Sequence, residues 1–227
     1  MIRYLLIVAT IVMTTSFVSA NDIYIEQVGD NLDLDVVQDG TGNSIGTSVT
    51  DMKLTGDDMT FDITQTGSNN TIDAIIGGNT YTGTWVFTGS TNTVDLVCDQ
   101  TTNVNCETVT LNITTTGDTN DYTIKIGENA DAQNLVANFT VTGDGNTFTT
   151  DVDGTNVALT VTVDNSGSVG ANTVDIDIAG DGTTGHTAVI DITGSGTFTL
   201  DQSGLNDQTV NIQTNGDNQA VNITQSD

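Results

Sequence analysis

The stretch Val210-Asn211-Ile212-Gln213-Thr214-Asn215-Gly216-Asp217-Asn218-Gln219-Ala220-Val221-Asn222-Ile223-Thr224-Gln225 decides the fold. Apolar and polar residues alternate on both sides of Gly216-Asp217-Asn218. Alternation at every second residue marks a strand with one dry face and one wet face. Glycine and asparagine tolerate positive φ, so they suit an arch between two such strands. The same plan opens the acidic part of the chain, from Ile23 through Gly29 and Asn31 to Gln38, and recurs between the two ends. Self-similarity of this kind points to strand–arch–strand units stacked on one another, not to a globule around a pocket.

Eight glycines anchor the units: Gly29, Gly67, Gly89, Gly117, Gly143, Gly167, Gly194 and Gly216. Four residues before each anchor stand Ile25, Ile63, Trp85, Ile113, Phe139, Val163, Ile190 and Ile212, all large and apolar. These are the expected stacking core. Asn31, Asn70, Asn92, Asn120, Asn146, Asn172 and Asn218 precede the second strand of a unit and are expected in the arches. Gly77-Gly78-Asn79 and the segments 99–105, 127–133, 153–155 and 180–185 read as connectors. The interval from Gly29 to Gly67 is long enough to hold a degenerate unit near Val49–Gly56.

One strand–arch–strand unit has an apolar face and unpaired backbone edges, and is not stable alone. Placed about 4.8 Å from a neighbour it pairs its backbone and sets like side chains over like. Each buried Ile, Val, Leu or Phe then contributes about 1.5–3 kcal/mol. An antiparallel sandwich uses strands of similar length but does not need one residue type in one column of every unit. The expected fold is therefore all-β: a stacked strand-turn-strand β-solenoid of about eight rungs, with two facing parallel sheets.

The chain carries 30 Asp and Glu against three Lys and Arg, for a net charge of −27. That excludes nucleic-acid binding, which needs basic surface, and disfavours adsorption to anionic lipid. Arg3, the apolar run 5–12 and Val18-Ser19-Ala20 read as a secretory signal peptide over residues 1–20, cut before Asn21. Residues 21–227 then form a single repeat domain, with no membrane insertion after cleavage. Cys98 and Cys106, the only cysteines, have seven residues between them. In an exported chain such a pair is expected as a disulfide. Proline is absent, so every residue of every strand keeps its backbone donor.

Gln27-Val28-Gly29-Asp30-Asn31, followed by an alternating strand and Gln38, resembles the curlin repeat of curli fibre subunits. Gln65-Thr66-Gly67-Ser68-Asn69 and Thr214-Asn215-Gly216-Asp217-Asn218 through Gln225 are similar. The second glutamine here follows the asparagine by seven residues where the family has six. Central units replace the first glutamine with Thr, Phe, Val or Ile. The resemblance implies an exported functional-amyloid subunit whose repeats stack as two parallel sheets with amide ladders, building adhesive, matrix-forming surface fibres. It implies self-assembly as a homopolymer, with other fibre subunits and export or nucleation machinery as partners. Gln27, Asn31, Gln38, Gln65, Asn218 and Gln225 are the expected ladder and self-assembly residues. Terminal units of closed solenoids are usually atypical caps, whereas here the end units carry the amides. The alternative is a monomeric acidic β-solenoid at the cell surface, binding carbohydrate or calcium.

No catalytic arrangement stands out, and no enzyme activity or tightly bound cofactor is expected. His186, the only histidine, sits in a glycine- and threonine-rich context and reads as a solvated loop residue. Gly180-Asp181-Gly182 and Gly143-Asp144-Gly145-Asn146 echo calcium-binding turns, without the full nonapeptide pattern. Outward aspartates such as Asp73, Asp95, Asp121, Asp175 and Asp177 would repel one another when stacked, so loosely bound calcium or salt is expected to relieve them. Outward Thr71, Thr93, Thr147 and Thr173 suggest a hydroxyl array of the kind found in ice-binding solenoids. Plain β-propensity on a wet face explains them as well.

Overall fold

The computed structural model describes residues 21–47, 49, 51–98, 106–127, 133–165, 170–180, 185–204 and 208–226. The expected signal segment 1–20, the anchor Gly167 and the cysteine connector 99–105 lie outside the described residues. Eighteen strands follow in order: β1 (Asn21–Ile23), β2 (Glu26–Val28), β3 (Asp33–Gly40), β4 (Asn43–Ile45), β5 (Met52–Thr55), β6 (Met59–Gly67), β7 (Asn69–Thr88), β8 (Thr91–Cys98), β9 (Cys106–Thr116), β10 (Thr119–Ile126), β11 (Asn134–Thr142), β12 (Gly145–Asp153), β13 (Val157–Asp164), β14 (Asn172–Ala179), β15 (Thr187–Thr193), β16 (Gly196–Ser203), β17 (Thr209–Asn215) and β18 (Gln219–Ser226). The described residues contain no helix.

Each strand pairs in parallel with equivalent strands of neighbouring units, and the long β7, which spans both sheets, pairs by its two halves with its sequence neighbours β6 and β8. Two facing sheets result. Sheet I stacks β1 and β2, then β4 and β5, the first half of β7, β8, β10, β12, β14, β16 and β18. Sheet II stacks β3, β6, the second half of β7, β9, β11, β13, β15 and β17. The expected β-solenoid is thus present, eight levels deep in sheet II. Gly77-Gly78-Asn79, expected as a connector, lies inside the continuous 20-residue β7, which bends from one sheet into the other.

Inward positions of both sheets meet in one core. Strand β11 runs exposed–buried without interruption, as the period of two requires. Phe139 of sheet II and Phe148 of sheet I pack with ring centroids 5.0 Å apart, and Phe148 also meets Tyr122 of the level before at 5.7 Å. Phe61 and Trp85 meet edge-on at 6.3 Å, and the Trp85 indole N–H donates to Phe61 O at 3.1 Å. Gly83 falls in a core column between Phe61 and Leu111. A methyl there would press on Tyr81 and Trp85, which flank it and occupy the space.

The column of large apolar residues holds for six of the eight expected members and continues through Val36 and Val161. It runs Val36, Ile63, Trp85, Ile113, Phe139, Val161, Ile190, Ile212. Two members of the expected set are displaced. Ile25 lies in sheet I, its carbonyl accepting from Lys53 N–H at 2.8 Å, and Val36 takes its place in sheet II. Val163 stands one inward position further along, between Val141 and Ile192. Both displacements have the same origin: the anchor of the first level is Gly40, not Gly29, and that of the sixth is Asn165, not Gly167. Gly40 pairs with Gly67, and Asn165 N–H donates to Thr193 O in the place where Gly143 N–H donates to Asp164 O.

Candidate assembly ends and internal ladders

The anchor glycines stand one above the next with no room between them. A Cβ on Gly67 would collide with Gly40 O, one on Gly89 with Gly67 O, and one on Gly117 with Gly89 O. Close vertical approach, not a left-handed conformation, demands glycine at Gly67, Gly89 and Gly117. Gly29, Gly143, Gly194 and Gly216 do have positive φ.

Three residues after the anchor, or seven after Asn165 in the sixth level, the chain places an asparagine inside the arch. Asn43, Asn70, Asn92, Asn120, Asn146 and Asn172 are all buried. Their side chains form one ladder. Asn21 Nδ2 donates to Asn43 Oδ1 at 3.2 Å, Asn43 to Asn70 at 3.0 Å, Asn70 to Asn92, Asn92 to Asn120 and Asn120 to Asn146 each at 2.7 Å, and Asn146 to Asn172 at 3.0 Å. The same Nδ2 atoms reach carbonyls that end the sheet II strands, such as Thr88 O at 3.1 Å from Asn70 and Thr142 O at 3.3 Å from Asn120. The ladder thereby ties sheet I to sheet II at the closed side of each arch.

Of the seven asparagines expected in the arches, Asn70, Asn92, Asn120, Asn146 and Asn172 lie in strands instead. Asn31 and Asn218, two residues after their glycines, are the true turn residues, with φ of 63° and 55°. They take no part in the ladder. Its column passes from Asn172 through Gly196 to Gln219. Gly196 has no side chain to offer, and the longer Gln219 reaches past it to Gly194 O at 2.7 Å.

The expected glutamine ladder exists in two short pieces. Gln65 Nε2 donates to Gln38 Oε1 at 2.7 Å in sheet II, with both residues buried. Gln225 Nε2 donates to Gln202 Oε1 at 3.2 Å in sheet I. Phe87 follows Gln65 and Ile178 precedes Gln202 in their columns, so each piece stops after two amides. Gln27 pairs beside Leu54, in the sheet I column that ends with Gln202 and Gln225.

Neither end of the stack is covered by another described strand. The final level exposes Val221 and Ile223, each 45 % accessible, whereas their equivalents Val174 and Ile176 are buried. At the first level Ile23, Ile25 and Leu34 are only partly buried. Tyr24, Ile25, Glu26, Val49, Asp51 and Lys53 border an open polar hollow of about 290 Å³ there.

Cys98 and Cys106 form the expected disulfide, Cα atoms 6.0 Å apart, joining the end of a sheet I strand to the start of the next sheet II strand. His186 is buried, against the expectation of a solvated loop residue. Its Nδ1 accepts from Val157 N–H at 3.3 Å, its Nε2 stands 3.0 Å from Gly180 O, and its own N–H donates to Gln208 Oε1 at 3.0 Å. Val157, Gly180 and Gln208, distant from one another in sequence, are brought together around the ring by the stacking of the levels.

Acidic residues stack on the outer face of sheet I. Asp151, Asp177 and Asp201 share one column, and Asp73 stands beside Asp95 in another. Partial burial, with Asp51 and Asp95 nearby, raises the Asp73 pKa to about 6. Burial and then Asp151, Asp201, Asp153 and Asp175 push Asp177 up, and burial also raises Asp95 despite Lys125. Among the described residues no three His, Cys, Asp or Glu side chains cluster to hold a metal ion. Thr71, Thr93, Thr147 and Thr173 do fall in one outward column, interrupted by Asp121.

Comparison with protein-family models, with curated proteins and with solved structures found no match.

Proposed function

We propose that the chain is an exported structural subunit of an extracellular, curli-like amyloid fibre that grows by head-to-tail stacking and serves in adhesion or matrix formation. One observation carries the reading: the two ends of the stack complement each other column by column. In sheet I, Asn21, Ile23, Ile25 and Gln27 head the columns that Gln219, Val221, Ile223 and Gln225 end. In sheet II, Leu34 and Val36 head those that Val210 and Ile212 end.

A second copy placed one step beyond β18 would set apolar on apolar at Val221 and Ile223. It would also set Gln27 over Gln225, extending the Gln202–Gln225 pair to three amides. Such a contact joins two different surfaces, does not close on itself, and so propagates as a filament. The role is mechanical rather than catalytic, and loosely bound cations would relieve the stacked carboxylates. Export, the adhesive surface and the curli likeness rest on the sequence resemblance and the leader-like residues 1–20.

Residues 21–227, incubated at rising concentration and viewed by electron microscopy and fibre diffraction, test the proposal. Filaments with a spacing of about 4.8 Å along their axis are expected. Ile223→Asp at one end or Ile25→Asp at the other should stop elongation with the stack intact. A wild-type chain that stays monomeric at high concentration would overturn it and favour the carbohydrate- or calcium-binding alternative.

A further inference from the structure

The charge of this protein is divided unevenly between its two faces. Over three consecutive levels of sheet II, in the second half of β7, in β9 and in β11, five outward columns run from Thr80, Thr82, Thr84, Val86 and Thr88. None of these outward positions is charged; all are Thr, Asn or Val. On sheet I the same part of the stack turns Asp73, Asp95 and Asp121 outward. The neutral face is exposed: Val136 is 44 % accessible, and Thr114, Thr116, Thr140 and Thr142 are exposed beside it.

We propose that this face of sheet II is a lateral interface with a second copy of the same chain, sheet II against sheet II, with the acidic sheet I turned to solvent. In a chain of net charge −27, like charge keeps copies apart. These levels are where two copies can approach without bringing carboxylates together. The uncharged part of the face spans three levels, about 14 Å by about 30 Å, or roughly 400 Å² per copy, with Asp62 of β6 and Asp164 of β13 at its margins. A standard stable interface buries about 800 Å² per partner, so the contact is weak and reversible. β-branched residues at regular spacing suit the dry interdigitation of paired sheets about 10 Å apart. The contact is isologous and separate from the stack ends, so it does not depend on head-to-tail growth. In a filament it would recur with every subunit and pair filaments side by side.

Sedimentation equilibrium of residues 21–227 carrying Ile223→Asp, which blocks one end, tests the proposal without interference from elongation. A reversible dimer is expected. Thr114→Asp with Thr140→Asp, adjacent in one sheet II column, should weaken it at least tenfold. Thr123→Asp with Thr149→Asp, adjacent on sheet I, should change it less than twofold. On the chain without the Asp pairs, a soluble paramagnetic probe read by NMR should spare sheet II and broaden sheet I as concentration rises. That measurement keeps the test decisive if the sheet II pair unfolds. A species monomeric up to millimolar concentration, or equal weakening by both pairs, would overturn the proposal. So would a monomer that inhibits ice recrystallisation, which would assign the threonine face to ice.

Discussion

Asn92 Nδ2 donates to Asn120 Oδ1 across 2.7 Å, and both side chains are buried where the arch closes. Each interior amide of this ladder serves as donor to one neighbour and acceptor to the other, so the loss of one such member removes a bond from two. A buried polar group left without its partner costs about 1–3 kcal/mol. Asn120→Ala should lower the urea midpoint by that much stability. Asn138→Ala, which removes an exposed ladder bond to Asn112, should cost less than about 0.5 kcal/mol. Equal effects at the two sites would deny the ladder its structural role.

The glycine column makes a sharper contrast. Gly89→Ala places a methyl against Gly67 O and Asn70 Nδ2, and backbone cannot yield as a side-chain end can. A loss of about 1–3 kcal/mol or more is expected, typical of overpacking. Gly145 has nothing within 4 Å of the same methyl. Gly145→Ala should leave the thermal midpoint nearly unchanged.

Acid should stabilise this protein over a defined range. The Asp73 pKa is raised in the fold to about 6, above its ordinary 3.8, so the folded state binds the proton more tightly than the unfolded one. The charged form therefore opposes folding above pH about 6. That penalty fades as pH falls through 6 toward 4 and is absent below 3.8. Asp95 and Asp177 shift in the same direction. Melting temperature should rise from pH 7.5 to pH 4.5, and Asp73→Asn should raise it at pH 7.5 while changing little near pH 4. A melting temperature that fell across this range would contradict the account. Added salt or calcium at pH 7.5 should act in the same sense as acid, through screening of the stacked carboxylates.

The Cys98–Cys106 bridge closes a short loop between two buried strand ends. Cross-linking a loop of this length stabilises by roughly 2–3 kcal/mol in the chain-entropy account. The double change Cys98→Ser with Cys106→Ser should lower stability by that amount and leave the circular dichroism of the folded chain unchanged.

The sequence alone determined the architecture. Alternation on both sides of repeated glycines forces two-faced strands, and one residue type per column forces units to lie over their equivalents. Ile63, Trp85, Ile113 and Phe139 could be aligned from spacing because each precedes its glycine by four residues. The asparagine ladder was not expected, although parity held the signal: Asn70, Asn92, Asn120, Asn146 and Asn172 stand two residues before inward Ile72, Val94, Tyr122, Phe148 and Val174, so the period of two turns them inward. Tertiary structure decided what spacing left ambiguous. Gln27-Val28-Gly29 and Gln38-Asp39-Gly40 fit the anchor equally well, and the first lies within the better local match. The choice falls to Gly40 because it lets the eight residues of β3 pair with β6 and sets Gln38 over Gln65. His186 is buried for the same reason: Val157, Gly180 and Gln208 lie far from one another along the chain and meet only when the levels stack. Parity is local and can be read from neighbours, whereas vertical register is the collective optimum of every level on the next.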